Sequence, residues 1–384
     1  MKTTTPGTIF VLAHAHWHFS WQNLHEISVK LAERGYNVIF VEPLPLRWWP
    51  GWSRIFAFIN ARLAHKPELI GGHEQKLHPG IENVWLTGVP DQFAVGRYLN
   101  RNLFMPRMAT QLRIRKLPRP LIVINFLPVS YSFALQNELQ PDVCIYACTD
   151  SFQDMPGFRH VKLFENELVS NSDLVFTTSQ SLYARFSERH SRLMLLLPGV
   201  DYPLFENARV ERERKEPPLC AYFGTLRKED NDVDLLRKIS HQYRLKIIGL
   251  VKDPLEGFSN TTKIVSPVPI NQLGDQIAEV DVLLLPYVKA EQTRFITPAK
   301  TFQCLATGKP VVSIGLPGLA WLSKVIYLCE THEEFLDAIE SAGIEPRGKR
   351  KARLALAEAN SWDSRVADLE NQITEILESK RPGG

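Results

Sequence analysis

The feature that most constrains this chain is a repeated alternation. Short, continuously apolar runs rich in β-branched residues are each followed by a stretch with helical spacing. Residues 8–13 predict a first strand, residues 24–34 a helix closed by Gly35, and residues 38–41 a second strand. Residues 121–125, 143–147 and 174–178 predict further strands. Apolar runs without polar alternation suit strands covered by helices on both faces, which predicts parallel sheets assembled from βα units. The charged stretch 206–218 interrupts the pattern and ends in Pro217-Pro218, as a solvated linker does. The alternation then restarts, with strands expected at 219–223, 245–248, 263–265, 282–285, 311–314 and 325–328. Helices are expected between them at 232–243, 271–279, 299–306 and 331–342. A chain of 384 residues suits two domains. The expected organisation is an N-terminal α/β domain over 1–205, the linker 206–218, a C-terminal α/β domain over 219–360, and a helix and tail over 361–384.

Composition narrows the class. Hydrophobic residues at 44% and charged residues at 23% are those of a folded globular protein. No apolar run approaches the roughly 20 residues that span a bilayer, and residues 1–8 lack the layout of a secretory signal. Five scattered cysteines without a C-x-x-C pair predict a reduced, cytoplasmic protein. Charge is uneven: residues 1–120 carry 15 Lys and Arg against 7 Asp and Glu, and the remainder 30 against 35. A basic first part fits an acidic partner (a membrane surface, a nucleic acid or a phosphorylated substrate) or is ordinary solvated charge.

In the second half, the first strand ends in Tyr222-Phe223-Gly224-Thr225-Leu226, followed by Arg227. Glycine at a strand's carboxyl end permits a sharp turn and close approach to a phosphate, and equally serves a plain structural turn. A second signal is Leu283-Leu284-Leu285-Pro286-Tyr287, a polar loop, and then residues 297–312. There Thr297 is expected to cap a helix with Pro298 at its first position, exposing amides that suit an anion. Lys300 in the first turn opposes the helix dipole, which a pyrophosphate would relieve. Gln303 lies three residues on, on the same face.

This pattern resembles the donor-binding segment of B-type glycosyltransferases, a P-x-K-x-x-E-x-L-A-x-G-K-P-V-V run. It matches at Pro298, Lys300, Leu305, Ala306, Gly308, Lys309, Pro310, Val311 and Val312. The resemblance implies two Rossmann-like domains facing across a cleft, with a C-terminal helix crossing back to the first domain. It implies that Gly224, Thr225, Arg227, Tyr287, Thr297, Pro298, Lys300 and Gln303 bind a nucleotide diphosphate sugar, Lys300 holding the diphosphate. Two departures stand out: Gln303 replaces the acid that normally meets the ribose, and Phe295 replaces the family's earlier acid. The chain resembles glycosyltransferases of teichuronic acid and surface-polysaccharide synthesis and the xanthan glucuronosyltransferase.

The first half offers acceptor and base candidates. His16, Trp17 and His18 follow the first strand, where aromatic and imidazole groups can stack on and hydrogen-bond a sugar. His14, His16, His18 and His25 also invite a metal reading, although no matching ligands follow at later strand ends. Asp150 lies just beyond the apolar strand 143–147, placed either to accept a proton from an acceptor hydroxyl or to cap a turn. In the xanthan enzyme's family the aspartate in the matching place is the base. Around residues 47–66, Trp48, Trp49, Trp52 and Phe56 lie among basic residues, which describes either an interfacial helix or a core helix with a basic face. A second basic stretch, 97–119, can reinforce attachment to anionic headgroups.

The expected function is transfer of a sugar from a nucleotide diphosphate sugar to a hydroxyl acceptor, a lipid-linked saccharide in cell-surface polysaccharide synthesis. No metal or cofactor and no nucleic-acid partner are expected, and the protein is expected on the inner face of the plasma membrane. The alternatives are a retaining glycosyltransferase without a base, a metal-dependent hydrolase using His14, His16 and His18, and a non-catalytic nucleotide-sugar or lipid-binding protein.

Overall fold

The computed structural model describes residues 6–18, 21–44, 77–89, 91, 93–152, 161–210, 216–252, 254, 256–290, 293 and 295–381. Trp48, Trp49, Trp52 and Phe56 lie outside the described residues. The chain divides into two compact units. The first comprises Met1–Thr178, Leu182–Leu196 and Val366–Gly384, and the second Ser179–Ser181 and Leu197–Arg365.

The first unit holds a sheet of seven parallel strands: β1 (Thr8–Leu12), β2 (Asn37–Glu42), β3 (Ile81–Trp85), β4 (Leu121–Asn125), β5 (Val143–Cys148), β6 (Leu174–Thr177) and β7 (Leu193–Leu195). Their order is β3-β2-β1-β4-β5-β6-β7. The strands β1, β4 and β6 are buried along their full length, and each is apolar but for one terminal polar residue (Thr8, Asn125 and Thr177). On one face Phe10, Ile39 and Val123 pack with Met105, Ala109, Leu112 and Leu135 from the covering helices.

The second unit holds six parallel strands: β8 (Leu219–Phe223), β9 (Arg244–Ile248), β10 (Lys263–Val265), β11 (Val282–Leu285), β12 (Val311–Ile314) and β13 (Tyr327–Cys329). The order is β10-β9-β8-β11-β12-β13. Asp232 caps the helix Val233–Gln242 through the Leu235 amide, and Thr331 caps His332–Ser341 through that of Glu334. Both sheets therefore have the doubly wound order in which the first strand lies between the second and the fourth. That reversal leaves a crevice beyond the carboxyl ends of β1 and β4, and another beyond β8 and β11.

Several boundaries differ from the sequence reading. The edge strand β3 was not expected, because Glu82 and Asn83 interrupt its apolar residues. The segment expected to close the first domain belongs to the second unit from Leu197 onwards. Its 3-10 helical stretch Tyr202–Arg209 is fixed there by Arg209, whose guanidinium lies 3.6 Å from the Tyr202 ring centroid and donates to the Ala306 carbonyl at 2.9 Å. The last helix, Trp362–Lys380, starts in the second unit and ends in the first, where Glu370 pairs with Arg34 and Lys380 with Asp173.

Candidate functional site

The crevice of the second unit is shaped by two glycines. Gly224 ends β8 at φ 117° and Gly249 ends β9 at φ 137°, both in the region that glycine alone enters freely. A Cβ on Gly249 would collide with the Gly224 carbonyl, and one on Gly224 would lie 2.7 Å from the Lys300 ammonium. The amide of Gly224 donates to the Ile248 carbonyl at 2.8 Å. The next turn is tied to the end of β11, since Val288 N donates to Asp230 O at 3.0 Å and Asp232 N to Pro286 O at 2.7 Å. Thr225 and Arg227 are exposed on this turn, with Arg227 paired to Asp230.

Lys300 enters the same crevice from the helix Lys300–Ala306. Its ammonium donates to the Tyr222 hydroxyl at 3.0 Å and lies 4.4 Å from the Tyr222 ring centroid and 5.7 Å from that of Tyr287. The Tyr222 hydroxyl in turn donates to the Thr225 carbonyl at 2.8 Å. Among the described residues no carboxylate lies within ion-pair distance of Lys300. Burial lowers its pKa to about 8, against the raising pull of Cys304 and Asp230. A half-buried cation resting on aromatic faces beside two glycines is a built place for an anion. Gly224, Tyr287 and Lys300 thus come together as the sequence proposes. Tyr222, Asp230 and Gly249 join them without having been singled out.

The expected helix cap is not formed. The helix begins at Lys300, two residues after Pro298, and the Thr297 hydroxyl donates to the Gly318 carbonyl at 3.3 Å. Thr297 is buried against the short 3-10 helix Pro317–Leu322, a tertiary partner that competes with the cap. Gln303 is half-buried one turn further along.

In the first unit Asp150 follows the carboxyl end of β5. It is partly buried, and burial raises its pKa to about 6. The loop that carries it is fixed from both sides. Thr178 donates to the Thr149 carbonyl at 3.1 Å, and Arg185 donates to Ser151 Oγ at 2.8 Å while pairing with the fully buried Glu165. Tyr146 Oη adds a 2.8 Å bond to Glu165, so Glu165 is spent on holding β5. Asp173 accepts from the Cys144 amide at 2.8 Å at the start of β6, a structural role.

The histidines after β1 do not converge. His14 pairs with Gln22 at 2.8 Å, packs on Phe126 and Phe152, and burial lowers its pKa to about 4. His16 Nδ1 pairs with Glu42 at 2.7 Å and its ring stacks on Trp85. Glu42 is fully buried at the end of β2 and also accepts from Trp17 N at 3.2 Å and Asn83 Nδ2 at 2.7 Å. Trp17 corrects the sequence reading: it is 0% exposed, edge-on to Phe40, His25 and Trp21. It fills the core and offers no face to a sugar. His18 is half-buried on the same turn. Among the described residues, no group of three or more His, Cys, Asp and Glu is placed to hold a metal ion.

No protein-family model matches the chain, and no curated protein matches it. Solved structures do. A glycosyltransferase from Rickettsia africae ESF-5 is 13% identical, with 98% of this chain and 99% of that one covered at a TM-score of 0.65. An α,α-trehalose-phosphate synthase (UDP-forming) from Burkholderia vietnamiensis is 12% identical, with 95% and 96% covered at 0.59. A protein assigned as a UDP-N-acetylglucosamine 2-epimerase from Listeria monocytogenes is 10% identical, with 97% of each chain covered at 0.54. One fold thus serves proteins with different assigned reactions, and function has to be argued from the site. The likeness establishes the architecture: this chain has the two-Rossmann-unit fold of the B-type glycosyltransferases.

Proposed function

We propose that the chain is a glycosyltransferase that moves a sugar from a nucleotide diphosphate sugar to a hydroxyl of a lipid-linked saccharide. The observation that carries this reading is Lys300. Its ammonium is desolvated against Tyr222 and Tyr287 at the switch point of the second sheet, with no carboxylate partner among the described residues. Held there, a diphosphate would give that charge a partner. As the bond from the anomeric carbon to the diphosphate oxygen breaks, the leaving group takes the electron pair, and Lys300 stabilises the added negative charge.

Asp150 is the base in this reading. The acceptor oxygen forms the new bond to the anomeric carbon and its proton passes to the Asp150 carboxylate. A carboxyl raised towards neutrality is better matched to that transfer than an ordinary one. Gln303 meets the ribose through its amide, which donates and accepts. His16, set on Trp85 and Glu42, and His18 on the same turn are the acceptor contacts that remain once Trp17 is assigned to the core.

The test is a thermal-shift screen against UDP-, GDP-, ADP- and dTDP-sugars, followed by turnover with a lipid-diphosphate saccharide. At least one donor is expected to raise the melting temperature and to be consumed only with acceptor. Absence of any shift across the set, in protein shown to be folded, would contradict the proposal. A donor that binds but is never transferred would favour a non-catalytic nucleotide-sugar-binding protein. Inversion at the anomeric carbon is the expected outcome, and retention would remove the base.

A further inference from the structure

Between Phe93 and Arg119 the first unit has seven cations and not one carboxylate. This stretch forms the helix Ala94–Leu99, a π-helical turn Asn100–Phe104 and the helix Met105–Arg113. The second helix buries Met105, Ala109 and Leu112 in the core. Leu103 in the π-helical turn, Arg107 and Arg113 on this helix and Ile114 just past its end are all exposed. Five large apolar side chains are exposed along the stretch (Phe93, Val95, Tyr98, Leu103 and Ile114), with Tyr98 at 68% and Ile114 at 72%.

A solvated helical face ordinarily mixes both signs of charge, and scattered exposed apolar residues are unremarkable. Complementing the helix dipole accounts for Arg113 and Lys116 at the helix end. It does not account for Arg101 and Arg107, for the missing carboxylates, or for the apolar side chains exposed along the same stretch. Arg115 and Arg119 are paired with Glu82 and Asp142 from neighbouring elements. For Arg101, Arg107, Arg113 and Lys116 no carboxylate lies within ion-pair distance among the described residues. Past the helix end, Lys116 sits at φ 51°, a backbone region that lysine seldom adopts. It stands at the rim of a cavity of about 180 Å³, with Arg113 and Arg119 also lining it and an apolar floor of Phe10, Leu117, Leu121 and Leu139.

We propose that the face formed by residues 93–119 docks on an anionic lipid bilayer. Its aliphatic and aromatic side chains enter the headgroup region, and Arg101, Arg107 and Arg113 meet the lipid phosphates. The proposal rests on reading the acceptor as lipid-borne, but it concerns described residues alone and is tested without turnover.

The experiment is co-sedimentation of the full chain with vesicles of phosphatidylcholine alone and of phosphatidylcholine with one quarter phosphatidylglycerol. Wild type is expected to bind the anionic vesicles at least tenfold more tightly than the neutral ones, with binding weakened by salt. The variant Arg101→Glu/Arg107→Glu/Arg113→Glu is expected to lose that preference, and Ile114→Ser to weaken binding severalfold. Nucleoside-diphosphate thermal shifts should be retained in both, showing that the second unit is intact. If the triple variant fails to fold, Arg101→Gln/Arg107→Gln/Arg113→Gln gives the same reading with smaller changes. Equal binding of the charge variants and wild type, or no preference for anionic vesicles, would overturn the proposal. So would displacement from vesicles by single-stranded RNA at equal charge, which would make this a nucleic-acid face. Vesicle binding without sugar transfer would count against the enzymatic reading alone, and transfer without vesicle binding against the docking face alone.

Discussion

The Lys300 ammonium donates to the Tyr222 hydroxyl at 3.0 Å, and that hydroxyl donates onward to the Thr225 carbonyl at 2.8 Å. The tyrosine is thus a relay: it fixes where the cation sits using the turn that follows β8. In Tyr222→Phe the ring remains and the fixing bonds go. Affinity for a nucleoside diphosphate is expected to fall by about threefold to tenfold, with a stability loss near 1 kcal/mol for the lost hydrogen bonds. Calorimetric titration and denaturant unfolding check the two effects separately.

Gly249 tests how tightly the crevice is built. A Cβ there meets the Gly224 carbonyl, at a φ of 137° that alanine resists. Gly249→Ala is expected to destabilise the chain by about 2–4 kcal/mol through strain and overpacking. A loss below about 0.5 kcal/mol in denaturant unfolding would mean that the two strand ends yield easily.

Asp150 carries a pH dependence with a definite sign. Its folded pKa, about 6, exceeds its unfolded value of 3.8, so the folded state holds this proton more tightly. Its contribution to stability therefore falls as pH rises from 4 to 6 and stays low above that. Asp150→Asn is expected to be more stable than wild type at pH 7 by up to about 3 kcal/mol, with the advantage gone below pH 4. In the proposed reaction the same variant retains donor affinity while transfer falls about a hundredfold or more. Melting curves at pH 4 and 7, beside turnover, check both halves.

Trp17 separates packing from recognition. Fully buried against Phe40 and His25, it is expected to cost about 3–5 kcal/mol on replacement by alanine. Trp17→Phe should recover most of that stability and leave acceptor kinetics unchanged. An acceptor KM that rises in Trp17→Phe while stability holds would return this residue to the acceptor site.

The architecture was legible because parallel strands covered on both faces leave uninterrupted apolar runs, as in Leu121–Asn125 and Val282–Leu285. The strand β3 was not, since an edge position tolerates Glu82 and Asn83 and so erases that signal. In the site, Lys300 and Gly224 could be read because each is locally odd: a cation in a first helical turn, and a glycine at a strand end. Gly249 carries the same signal after Ile247-Ile248. Tyr222 as a partner of Lys300, Glu42 as the anchor of His16, and the Gly318 carbonyl as the partner of Thr297 are contacts across the fold. They have no expression in local sequence, and the last one defeats a helix cap that local rules favour.

The central claim is that Lys300 holds the diphosphate of the donor, and titration calorimetry of nucleoside diphosphates against wild type and Lys300→Met tests it most directly. Burial lowers the Lys300 pKa to about 8, and a bound diphosphate restores the ammonium. Wild type should therefore take up protons on binding between about pH 8 and 9 and lose affinity as pH rises through that range. Lys300→Met should bind at least tenfold more weakly and show no proton uptake from this group. Equal affinity in the two proteins, with the same pH dependence, would contradict the account.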